Sequence, residues 1–216
     1  MQTKITRVLL ALTLVSSLAA CASSKFDYFE PNQPNQFSTE TTISRDFNSV
    51  WDGYVASLSE SFFVINNISK ESRLINVSFS ASPPQEYINC GRTKLTSSHP
   101  AKGTETFNYE VAADSNTWYG VDGTNHVIER KRDTTLNGRA NIYIAPTENG
   151  VTLVRANARY VLDISVVENG LTLNHHTSIN HSITFATKET GTSNDGVKCY
   201  SKGKLEQDLL ELARKL

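Results

Sequence analysis

Residues 151–186 read VTLVRANARYVLDISVVENGLTLNHHTSINHSITFA, and the alternation within them decides the fold class. Val154, Ala156, Ala158, Tyr160, Leu162, Ile164 and Val166 are apolar at every second position, with Arg155, Asn157, Arg159 and Asp163 between them. A period of two belongs to a strand with one buried face. Asn169-Gly170 follows, a dipeptide that adopts the positive φ angles of a two-residue type I′ loop at little cost. With those two residues as the loop, Val166 faces Leu173, Ile164 faces His175, Leu162 faces Thr177 and Tyr160 faces Ile179. The ladder then brings Ala158 to His181, Ala156 to Ile183 and Val154 to Phe185, so one apolar face meets another. Asn174, His176, Ser178 and Asn180 complete the solvated face. The coincidence of two independent patterns predicts a long hairpin in this register.

Working outward, Asn137-Gly138 and Asn149-Gly150 carry the same turn chemistry and divide residues 127–150 into further strands. Strands are also predicted at Thr41–Arg45, Phe62–Ile65, Leu74–Phe79 and Phe107–Val111. Asp46 is a good N-cap, and Phe47, Val50, Trp51, Tyr54, Val55 and Leu58 recur at helical steps to about Ser61. Leu205, Leu209, Leu212 and Leu216 repeat on one stripe of a closing helix after Ser201. Residues 81–103 read as irregular, and residues 114–125 as a loop tip that holds Trp118 and Tyr119. The expected class is α+β: a curved antiparallel sheet with an N-terminal helix and a closing C-terminal helix, a helix-grip arrangement.

A chain of 216 residues with 38% hydrophobic and 20% charged side chains has a real core and is not disordered throughout. Its 21 Lys and Arg against 22 Asp and Glu leave a net charge of -1, so no basic field favours nucleic acid as a partner. Arg130, Lys131 and Arg132 form one basic cluster, read as a solvated strand end in preference to a lipid headgroup site. Lys4 and Arg7, an apolar stretch from Val8 to Val15, and Leu18-Ala19-Ala20 make residues 1–20 a secretory signal peptide. Leu18-Ala19-Ala20-Cys21 resembles the lipobox of bacterial lipoproteins. That resemblance implies cleavage before Cys21, its diacylation and acylation of the new amine, palmitate included. The alternative is plain secretion with an incidental Cys. Ala22, where retained lipoproteins carry Asp, implies the periplasmic face of the outer membrane. Residues 21–38 then comprise the lipidated Cys and a flexible tether, and residues 39–216 a single periplasmic domain.

No G-x-S-x-G, G-x-x-x-x-G-K or G-x-G-x-x-G pattern is present, and no catalytic residue, metal ligand or cofactor is assigned. Cys90 and Cys199 are expected to form a disulfide in an oxidising compartment, a free reactive thiol being the competing reading. Trp118 and Tyr119 are candidate anchors for a protein partner, or else a loop that folds back on its own domain. Ala156 and Ala158, with His175 and His181, are candidate pocket residues under the closing helix. Small residues there also let a helix pack close. In the Trp51-bearing helix, Phe62-Phe63-Val64-Ile65, Leu74-Ile75-Asn76-Val77, Arg159-Tyr160-Val161 and the final helix, the chain resembles the BamC-type lipoproteins of the outer-membrane β-barrel assembly machinery. The expected function is a non-enzymatic envelope lipoprotein that binds another envelope protein. The alternative is a carrier or sensor that grips a small apolar or lipid-like ligand between sheet and C-terminal helix.

Overall fold

The computed structural model describes residues 21–32 and 36–216; the expected signal peptide and part of the expected tether lie outside them. In chain order the elements are β1 (Ser23–Phe29), β2 (Glu40–Ile43), α1 (Phe47–Ser59), β3 (Val64–Ser69), β4 (Leu74–Ala81), β5 (Ile88–Asn89), β6 (Arg92–His99), β7 (Gly103–Glu110), β8 (Ser115–Gly120), β9 (Val127–Pro146), β10 (Thr152–Gly170), β11 (His176–Ala186), β12 (Gly191–Thr192), β13 (Lys198–Ser201) and α2 (Lys204–Arg214). Among the described residues strand accounts for 55% and helix for 15%, so the class is a β-rich sandwich and the expected α+β helix-grip is wrong.

The misreading has a physical cause. Strands β6 and β8 point Ser97, His99 and Thr117 inward, and these buried polar side chains erase the apolar alternation by which a strand is recognised. Each finds a hydrogen-bond partner in the fold, Thr117 Oγ1 donating to the Arg130 carbonyl (3.5 Å). Ser97 Oγ accepts from Gly120 N–H (2.9 Å), His99 Nδ1 accepts from Ala101 N–H (3.1 Å) and His99 Nε2 reaches the Asn125 carbonyl (3.2 Å). Residues Ser23–Phe29, read from their composition as tether, likewise form β1, paired along its length with β6.

The large sheet runs β11-β10-β9-β4-β3, with β2 beside β10 and β8 beside β9. Its spine is the pair β9 and β10, joined by a short 3-10 turn over Glu148–Gly150, where the Asn149-Gly150 signal falls. Asn137-Gly138, by contrast, lies inside β9 and makes no turn. Gly138 is there because of what sits on it. A Cβ at that position would stand 2.6 Å from the Phe79 ring and 2.2 Å from the Arg159 carbonyl oxygen. Phe79, Gly138, Tyr160 and Phe185 are cross-strand neighbours in one row. The missing side chain lets Phe79 meet Tyr160 edge to face (5.8 Å between centroids), while Tyr160 stacks on Phe185 (5.2 Å).

The hairpin of β10 and β11 exists, but in another register. Ile164 pairs with His181 and Asn169 with His176, a displacement of six residues from expectation. Strand β9 is the cause: it accompanies β10 as far as Gly170, Leu171 N–H reaches the Val127 carbonyl (2.9 Å), and Val127 N–H reaches Thr172 Oγ1 (3.2 Å). Pairing with a third strand outweighs the local preference of Asn169-Gly170, and the loop closes later, through Gly170 N–H and the His175 carbonyl (2.8 Å). An even displacement leaves every side chain on its expected face, so Ile183 and Phe185 stay inside.

The inner face of this sheet is covered in two halves. Helices α1 and α2 cover one half, as their apolar stripes predict. Asp46 Oδ1 caps α1 by accepting from the N–H groups of Asn48 and Ser49, and Val50, Trp51, Tyr54 and Leu58 are buried. Tyr54 donates to the Leu209 carbonyl of α2 (3.1 Å). Glu206, in the first turn of α2, is fully buried and its carboxylate accepts from Tyr160 Oη (2.8 Å) and Thr187 Oγ1 (2.7 Å). Burial, then the Glu206 charge, pushes the Tyr160 phenol well above its ordinary pKa, which keeps it a donor. The other half of the inner face lies beneath the three-stranded sheet β1-β6-β7.

Candidate functional site: the cleft between the sheets

The two coverings leave a cleft of about 340 Å³ between the small sheet and the far end of the spine. Its floor is apolar because the alternation of β10 continues through Ile164 and Val166, with Ile183 of β11 beside them. Phe26 and Tyr28 of β1 and Tyr109 of β7 form its roof, and Val197 closes one side. Tyr28 fixes the roof in place. Its hydroxyl accepts from Lys198 N–H (3.0 Å) and lies 3.3 Å from the Cys90 carbonyl oxygen, with burial pushing the phenol pKa up. Cys90 and Cys199 are bonded to each other, with Cα atoms 4.1 Å apart, so the bridge joins the segments that hold Tyr28.

Two cations enter this apolar space from β9. Arg130 lies over the Phe26 ring (5.3 Å), with its Nε 3.6 Å from Glu168 Oε1. Glu168 also accepts from Tyr119 Oη (3.3 Å). Arg132 is only 7% exposed and donates through Nη2 to the Val111 carbonyl, its sole acceptor among the described residues. The Tyr109 ring lies 5.9 Å away. Burial brings the Arg132 pKa down to about 10, which leaves the guanidinium charged at neutral pH. At the rim, His181 Nδ1 stands 3.9 Å from Asp195 Oδ2, too far for a hydrogen bond.

The residues singled out from sequence disperse. Ala156 and Ala158 are buried in the same core cluster as Leu205, Leu209 and Leu210 of α2, where they let helix and sheet approach. His175 lies in the hairpin loop, its Nε2 3.9 Å from Glu168 Oε2, while His181 borders the cleft. Trp118 and Tyr119 belong to β8 and not to a loop tip. Trp118 donates to Glu105 (2.7 Å) beneath Lys102, and Tyr119 packs edge to face on Phe26 (5.6 Å), so each is held by its own domain. Cys21 is exposed and free.

The residue that sequence reasoning missed is Arg132, dismissed with Arg130 as a solvated strand end. The signal was available. Leu136, Ala140, Ile142 and Ile144 mark the even positions of β9 as inward, and the same parity carried back puts Arg132 and Arg130 inside and Lys131 outside.

No family model, curated protein or solved structure matches this chain. Among the described residues, no three His, Cys, Asp or Glu side chains gather as metal ligands, and no helix is long and apolar enough to cross a membrane. What the cleft offers chemically is a place for an apolar body, with a buried guanidinium at one end.

Proposed function

We propose that this chain is a non-catalytic envelope lipoprotein, anchored through Cys21, whose domain holds a small lipid-like ligand in the cleft between its two sheets. The cleft itself carries the reading. Its 340 Å³ lies within the size range of small-molecule sites, about 300–1,000 Å³, and its mixture of aromatic and aliphatic walls with a few polar groups is their usual composition. Docking of a protein partner through Trp118 and Tyr119 is less well supported, because both side chains are already engaged. Native mass spectrometry of the protein extracted from its own membranes tests the proposal. A bound species of a few hundred daltons is expected on the unaltered chain and not on Val166→Trp, which fills the cleft. Two ligand-free spectra would sink it.

Anchoring at Cys21 would set the domain directly on the bilayer surface. Ala22 is 1% exposed, its N–H bonds the Thr124 carbonyl (2.9 Å) and its own carbonyl accepts from Gly123 N–H (3.1 Å). The chain therefore joins the fold one residue after the proposed anchor. Three acyl chains, at about 0.8 kcal/mol per buried methylene, would hold the protein far more firmly than one myristoyl group. Cys21→Ser is expected to leave an uncleaved or mislocalised precursor lacking acyl label, which fractionation and metabolic labelling detect. Normal processing and labelling of Cys21→Ser would contradict the anchor.

A further inference from the structure

We infer that the cleft selects an aliphatic carboxylate, with the carboxylate on the free edge of Arg132 and the chain along Val166, Ile164 and Ile183. This inference rests on the cleft being a ligand site, and it names the ligand class.

Three observations carry it. A guanidinium has five N–H donors, and Arg132 uses one of them, on Nη2, for the Val111 carbonyl while being almost wholly removed from solvent. A buried charge without a counter-ion is unfavourable, and an anionic ligand is the partner that would relieve it. No carboxylate forms an ion pair with it among the described residues: Asp114, whose charge acts on the guanidinium from beyond ion-pair distance, accepts through Oδ1 from the Thr134 backbone N–H (2.6 Å) and Oγ1 (2.8 Å), while Glu168 faces Arg130 and Tyr119. Second, the apolar floor begins at the cation: Val166 is the direct cross-strand neighbour of Arg132, and Ile164 and Ile183 continue away from it. Third, the charge balance suits a single negative charge. Arg130 has Glu168 as its counter-ion at 3.6 Å, although its Nε makes no hydrogen bond, and Asp195 at the rim disfavours a second negative group. The planar fork of one Arg matches the two oxygens of a carboxylate.

Calorimetric titration of the purified full chain with octanoate, octanol, octyl phosphate and octyltrimethylammonium tests this without any substitution. Octanoate is expected to bind more tightly than octanol by about tenfold to a hundredfold, the worth of a charged hydrogen-bonded pair. Arg132→Gln is expected to remove that preference while octanol affinity persists, and Arg132→Lys, which keeps the charge and loses the fork, to fall between. Should Arg132→Gln fail to fold, the ligand series on the unaltered chain and Arg132→Lys decide the matter. Equal affinity for octanoate and octanol, or preference for the phosphate or the ammonium, would overturn the carboxylate assignment and leave the cleft as a ligand site. Failure of all four to bind would overturn both.

Discussion

Removing the Cys90–Cys199 bridge is expected to lower stability by as much as about 4–5 kcal/mol, the chain-entropy ceiling for a loop of this length. The bridge spans 109 positions, and both cysteines are buried, at 1% and 0% exposure. It joins two segments with little else to align them: β5 and β13 pair through only two residue pairs, Tyr200 with Asn89 and Ser201 with Ile88. The effect reaches the cleft. Tyr28 is bonded to backbone groups of Cys90 and Lys198, so a reduced chain loosens the strand that roofs the site. Urea unfolding of the oxidised chain, the reduced chain and the paired Cys90→Ala, Cys199→Ala variant should show the last two alike and both well below the first. Coincident midpoints for all three would mean that strand pairing alone holds these segments.

A side chain at position 138 should cost nearly as much. Gly138→Ala places a methyl group against a backbone carbonyl and an aromatic ring at separations no packed atoms maintain, so the spine or the Phe79 ring must move. Overpacking a core typically costs about 1–3 kcal/mol and occasionally more; here a loss of about 3 kcal/mol or greater is expected, because the backbone contact cannot be relieved by a rotamer. Adding Phe79→Ala to Gly138→Ala should recover part of the loss, since it removes the ring and leaves the carbonyl. Thermal or urea denaturation of the two variants and of Phe79→Ala alone completes the cycle. A Gly138→Ala protein as stable as the parent would show that the aromatic row is not close-packed.

The same glycine shows where sequence reading succeeds and where it stops. Helices α1 and α2 were legible because Asp46 and the stripes Val50–Leu58 and Leu205–Ala213 state cap and buried face together. The inward face of β10 was legible because its period is two throughout. Asn137-Gly138 and Asn169-Gly170 misled because each dipeptide reports a local preference. At one the tertiary structure needs a position without a side chain, and at the other it needs a longer strand. The small sheet was hidden for a related reason: Ser97 and His99 of β6 are buried polar residues whose partners only the fold supplies. With that sheet unseen, the cleft had no roof. Ala156 and Ala158 under α2 serve close packing, and Arg132, whose neighbours Arg130 and Lys131 give it the pattern of a surface cluster, points its guanidinium inward.

If the space between the sheets, and no other part of the molecule, receives the ligand, titration of octanoate into protein labelled at its Ile and Val methyl groups will show it by NMR. Saturable shifts are expected at Val111, Ile164, Val166, Ile183 and Val197 alone, with the Arg132 side-chain N–H signal moving at the same ligand concentrations. Shifts centred instead on Val64 and Ile68 of the exposed edge strand β3, with the cleft methyls unmoved, would contradict it.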